Sequence, residues 1–79
     1  MNLQLAYRII GEAEAHPSGV LTVHGREAAQ EVRLMAQAGL IRAAEPAGPE
    51  PTEAIITRIT HAGHQFYRAL KNVRSFGAN

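Results

Sequence analysis

"IITRITHAGHQFYRAL", residues 55–70, changes its periodicity midway, and the place of that change decides the fold. Up to Ile59 the residues are β-rich and alternate, with Ile55, Thr57 and Ile59 on one face and Ile56 and Arg58 on the other, the two-residue period of a strand. Beyond His61, the positions Phe66, Ala69, Leu70 and Val73 recur at three- and four-residue spacing. This predicts a helix that buries those four and points Arg68, Lys71 and Arg74 elsewhere. Thr60 stands at the joint, where its hydroxyl can accept from the first free N–H groups of the helix. Gly63, without a Cβ, admits close packing against a neighbouring strand.

A strand that feeds a helix in this way needs a partner strand, and the sequence places one upstream. "EPAGPEPTE", residues 45–53, holds three prolines and a glycine in nine residues, so it continues neither a helix nor a central strand. Residues 40–45 read as extended, and with residues 54–59 they form a hairpin across that loop. Before them, residues 26–38 predict a second helix with Ala28, Val32, Met35 and Gly39 on one stripe, and "AGLI" ends it with a glycine suited to a left-handed C-cap. "SGVLTV", residues 18–23, is short, β-branched and flanked by glycine, which predicts a strand. Leu3, Ala6, Ile9, Ile10 and Ala13 mark a first helix, with Asn2 as N-cap and His16-Pro17 as its stop. The expected architecture is α+β, in the order helix, strand, helix, two-stranded hairpin, C-terminal helix. Residues 1–75 form the domain and residues 76–79 a flexible tail.

Two segments carry a resemblance. "VRLMAQAGLI", residues 32–41, resembles the end of the recognition helix and the start of the wing in many bacterial winged-helix regulators. "TRITHAGHQFYRAL", residues 57–70, resembles the "L-T-x-x-G-x-x-F" segment that leaves the wing and opens the last helix. Over residues 20–72 the chain looks most like a poorly characterised family of small bacterial and prophage winged-helix proteins of unknown function. The resemblance implies a winged helix that binds DNA as a transcription regulator or accessory factor of a bacterium or its phage. It also implies a homodimer through the terminal helices, for which Leu3, Tyr7, Phe66, Tyr67 and Phe76 are the apolar candidates. The chain departs from the pattern in one respect: a helix-turn-helix reader has a supporting helix before the recognition helix, whereas here only His24 and Gly25 separate the first strand from the second helix. Either a single turn or the start of the second helix itself stands in for it.

Composition sets bounds around this reading. Seventy-nine residues make one domain at most, with fourteen alanines among the 46% apolar residues. A chain this short buries only roughly 60% of its unfolded surface, which favours association with a second copy. The absence of cysteine excludes disulfides and thiolate zinc sites. No apolar run is long enough for a bilayer, and the first residues lack the pattern of a signal peptide, so a cytoplasmic location and no membrane partner are expected. Eight Lys and Arg against seven glutamates give a net charge of +1, which by itself attracts no polyanion.

The candidate chemistry lies on the second helix. Arg26, Gln30, Arg33 and Gln37 follow i, i+4, i+7, i+11 and line the face opposite the core stripe, and both residue types hydrogen-bond base edges and phosphates. Arg42 and Arg58, in the strands flanking the loop, can reach a phosphate backbone. The same face also reads as an ordinary solvated surface, and Glu27 and Glu31 beside it repel phosphate. The loop at the wing position offers Glu45, Glu50 and Glu53 instead of cations, which suits solvent or a protein partner better than a DNA groove. The alternative function is therefore a non-catalytic protein-interaction module, such as a phage protein that binds a host complex. On the last helix, Arg68, Lys71 and Arg74 suit the negative end of the helix dipole. His61 and His64 share a helical face without a third ligand at metal-binding spacing. With no aspartate, no cysteine and no glycine-rich phosphate loop, neither catalysis nor a cofactor nor a metal is expected.

Overall fold

The computed structural model describes residues 1–44 and 48–73. The expectations for the 76–79 tail, for Phe76, Arg74 and Glu45 fall outside the described residues. Six elements follow in the order α1 (Leu3–Ala15), β1 (Leu21–His24), α2 (Arg26–Gln37), β2 (Ile41–Ala43), β3 (Glu53–Ile59) and α3 (His61–Lys71). The strands form one antiparallel sheet in the order β1-β3-β2, so the expected hairpin of β2 with β3 is present and β1 adds to its other side. The fold is α+β. Among the described residues no helix is long and apolar enough to cross a membrane.

One core joins all the layers. Ile10 of α1, Val32 and Met35 of α2 and Ile56 of β3 are its largest fully buried side chains, with Leu21, Val23 and Ile41 closing it from the other strands. The α1 stripe buries Ala6, Ile9, Ile10 and Ala13 as the periodicity predicts, but Leu5 takes the place expected of Leu3, which is exposed, and Asn2 accepts from the Leu5 N–H at 3.1 Å as its N-cap. The first strand is not residues 18–23 but Leu21–His24: Ser18 instead accepts the Val20 N–H at 3.2 Å in a turn that delays the strand. The α2 stripe is rotated slightly from the expected one, with Ala29 and Glu31 buried and Ala28 only half-buried.

A β-bulge overturns the expected faces of β3. Arg42 pairs with Arg58 but Ala43 with Ile56, so β3 advances two residues while β2 advances one, and Thr57 is the extra residue. Its hydroxyl donates to the Arg42 carbonyl at 3.2 Å. The bulge breaks the alternation: Ile56 is buried and Ile59 packs against the core, whereas Ile55 and Thr57 are exposed. Strict two-residue periodicity had put Ile59 with Ile55.

The two segments that carry the resemblance meet in space. α2 ends in a Schellman motif, with Leu40 N–H bonded to the Met35 carbonyl at 3.0 Å, Gly39 N–H to the Ala36 carbonyl at 3.1 Å, and Gly39 at φ 81°. The Leu40 carbonyl then accepts the Thr60 N–H at 3.1 Å, and the Thr60 hydroxyl lies 2.8 Å from it and 2.7 Å from the Gly39 carbonyl. The same hydroxyl caps α3 by accepting from the Gly63 N–H at 3.0 Å. A Cβ on Gly63 would overlap the Leu40 carbonyl oxygen and come within 2.9 Å of Ile59 Cγ2. Gly63 is thus the close approach expected of it, made to the residue just before β2. The α3 stripe is corrected: Gly63 is its only buried residue, Phe66, Tyr67 and Leu70 are half-buried, and Ala69 and Val73 are exposed. The helix is anchored by its first turn and leans on the core through Phe66 and Tyr67.

Candidate functional site

α2 is fixed at both ends, which makes its outer face a firm platform. Gly25 is the whole connection from β1; its N–H bonds the Thr52 carbonyl at 2.8 Å and its carbonyl accepts from Ala29 at 2.9 Å. No helix fits in that joint, so the supporting helix of a helix-turn-helix is absent. α1 is fastened directly to α2. The carboxylate of Glu31, only 4% exposed, accepts the Asn2 N–H with both oxygens, at 3.0 and 3.2 Å. A carboxylate at the N-cap of α1 meets the positive end of that helix, which offsets the cost of its burial. Sequence reasoning had taken Glu31 as a phosphate-repelling surface charge. Its i, i+1 position beside Val32 in a charged segment gave no signal for the bond, because the partner is a backbone group 29 residues away.

The six candidate contact residues divide into groups. Arg26, Gln30 and Arg33 line one cleft of about 680 Å³ between α2, Asn2 and residues 49–51 of the hairpin loop. Arg26 and Gln30 are exposed there, but Arg33 is half-buried and its guanidinium donates to the Gly48 and Pro49 carbonyls at 3.4 Å each. Arg33 therefore holds the loop against α2. Gln37 is exposed one turn further on and lines a different groove. Arg42 and Arg58 are cross-strand partners, both exposed. Two like charges held side by side on a sheet repel each other, and an anion placed between them relieves that repulsion. Glu27 and Glu50 share the cleft with Arg26, so its lining carries both signs.

Four other charged or titratable groups pair between elements and two lie at a helix end. Arg68 and Lys71 lie exposed in the last turn of α3, where cations suit the helix dipole. His64 Nδ1 lies 2.9 Å from Glu14 Oε2, tying α3 to α1, and His24 Nδ1 lies 3.3 Å from Glu53 Oε2 across the β1–β3 pair. Among the described residues no group of three or more His, Cys, Asp or Glu side chains is placed to hold a metal ion. Tyr7 and Tyr67 stack between α1 and α3 with ring centroids 4.8 Å apart and planes 17° from parallel. Burial first, then the hydrogen bond and charge of Tyr7 and the charge of Glu14, push the Tyr67 hydroxyl above the ordinary tyrosine range. Gly11 leaves room for that ring, since a Cβ there would lie 3.2 Å from its edge and its hydroxyl. The chain matches no family model, no curated protein and no solved structure.

Proposed function

We propose that this domain is a winged helix that binds duplex DNA, acting as a transcription regulator or accessory factor of bacterial or phage origin. The observation that carries the reading is the outer face of α2: Arg26 and Gln30 stand exposed on successive turns, and of the two helix carboxylates beside them Glu31 is turned inward and bonded to Asn2, which leaves Glu27 exposed. In this reading α2 enters the major groove, where Arg26 and Gln30 hydrogen-bond base edges. Arg42 and Arg58 hold a phosphate from the hairpin, and Arg33 acts by positioning the wing instead of touching DNA. The Asn2–Glu31 bond makes α1 the support that a helix-turn-helix draws from its extra helix. A second copy joins through the terminal helices, where Leu3 is 45% exposed.

A second reading, a module that binds a basic segment of a protein partner, is favoured by Glu27 and Glu50 in the same cleft. Titration with mixed-sequence duplex at low and moderate salt separates the two. DNA binding predicts an affinity that falls as salt rises, by about 0.9 in the log–log slope for each phosphate engaged. Failure to bind at about 50 mM salt, where such contacts are strong, defeats the DNA reading, and capture of a partner by the acidic cleft becomes the test.

A further inference from the structure

Besides the polar cleft, α2 borders a second groove of about 510 Å³, between it and the loop end of the sheet. Its floor is made of Ala29, Val32 and Ala36 from α2 and Ala43 and Ala54 from the strands. The size falls within the roughly 300–1,000 Å³ of small-molecule sites, which combine an apolar lining with a few polar groups that fix orientation. Among the described residues Arg33 is the one cationic side chain on its wall and Glu53 the one carboxylate, and Glu53 lies 3.3 Å from His24 with both side chains largely exposed. The bonds of Arg33 to the Gly48 and Pro49 carbonyls are long, 3.4 Å each. A carboxylate is a stronger acceptor and takes a guanidinium at about 2.7–2.9 Å.

We propose that this groove is a binding site for a small monoanionic amphiphile, with its apolar body on the alanine floor and its carboxylate on Arg33. Small floor residues leave the space, and among the described residues the half-buried guanidinium supplies the one positive charge. Arg33 also lines the cleft that holds Arg26 and Gln30. Drawing its guanidinium off those carbonyls therefore removes the hydrogen bonds that hold Gly48 and Pro49 to α2, while the Gly25 to Thr52 bond stays. On the DNA reading, ligand and duplex are then coupled, each changing the affinity of the other by one common factor.

The test is ¹⁵N–¹H NMR titration of the full chain with 4-phenylbutyrate and with its neutral amide, with no DNA present. The acid should shift the amides of Ala29, Ala36, Ala43 and Ala54 in a saturable way and bind more tightly than the amide. Arg33→Gln should weaken the acid by at least about tenfold, the effect of losing a hydrogen bond between charged groups, and weaken the amide much less, so that the preference for acid over amide is lost. Ala36→Leu, filling the floor, should abolish both; if that variant fails to fold, the Arg33→Gln comparison still decides. Absence of saturable shifts at millimolar ligand, shifts centred elsewhere, or equal binding of acid to wild type and Arg33→Gln would each overturn the proposal. Because no duplex takes part, its failure is independent of the DNA reading.

Discussion

Gly63→Ala sets two effects of opposite sign against each other. Helix propensity alone favours alanine inside a helix by about 1 kcal/mol. Geometry opposes it: the new Cβ overlaps the Leu40 carbonyl oxygen and lies 3.0 Å from its carbon and 2.9 Å from Ile59 Cγ2. That carbonyl is backbone fixed from both sides. Leu40 N–H closes the α2 cap onto Met35 at 3.0 Å, and the oxygen itself accepts from Thr60 N–H at 3.1 Å. Relief therefore requires the first turn of α3 to back away, which strains the core by about 1–3 kcal/mol. It also weakens the two Thr60 bonds, each contributing about 0.5–1.5 kcal/mol. Against the propensity gain, the net loss is about 1–5 kcal/mol, and a domain of this size loses about 4–8 °C in Tm per kcal/mol. Urea and thermal unfolding by far-UV circular dichroism measure it, with Ala62→Gly as control: that neighbour is exposed, so it loses about 1 kcal/mol of propensity without a clash. Gly63→Ala should be the less stable of the two. If it melts at or above the wild type, propensity has prevailed and α3 does not sit on Leu40.

Three further outcomes are expected. Glu31→Ala leaves the Asn2 N–H without its acceptor and should cost about 1–3 kcal/mol in urea unfolding, whereas Glu31→Gln keeps an acceptor oxygen and should cost less; equal costs would refute the bond. Because Tyr67 is raised, the folded state keeps its proton where the unfolded chain, near pH 10, has lost it. Its contribution to stability is full below that pH and is lost as pH rises through the folded value, so unfolding midpoints should fall more steeply with alkali in the wild type than in Tyr67→Phe. In duplex titrations, the double variant Arg42→Ala/Arg58→Ala should reduce the salt slope by about 0.9, the value for the one phosphate they share, and Arg68→Ala should leave it unchanged.

The parts legible in the sequence were those set by local chemistry. Asn2 and Thr60 cap the helices expected of them, and Gly39 takes the left-handed turn that "AGLI" implies. The errors arose where a distant contact overrides a local pattern. The Thr57 bulge exists because β2 and β3 must pair on both sides of it, and nothing in alternating isoleucines records a skipped partner. Helical spacing predicts a buried stripe of Phe66, Ala69, Leu70 and Val73 on α3, but the tight seat of Gly63 fixes the helix at one end and leaves Val73 and Ala69 in solvent. In the candidate site, helical spacing placed Arg26, Gln30 and Arg33 together correctly, and it said nothing of the loop carbonyls that occupy Arg33 or the amide that withdraws Glu31.

Those two withdrawn charges bear on what kind of binding α2 can support. With a net charge of +1, long-range attraction to a duplex is weak, and with Arg33 engaged by the loop the outer face retains Arg26, Gln30 and Gln37 as its exposed donors, with Glu27 exposed beside Arg26. Few phosphate contacts mean weak non-specific binding and a shallow salt slope. A rigid helix bearing one arginine and two glutamines is better suited to base edges, where each good bidentate pair discriminates by about 1–3 kcal/mol. On the DNA reading, selection from a randomised duplex pool should therefore enrich a sequence whose affinity exceeds that of mixed duplex by tenfold or more. Arg26→Ala should abolish that ratio while changing mixed-sequence binding little. A pool that returns no preferred sequence would mean that the face of α2 does not read bases, whatever the salt dependence shows.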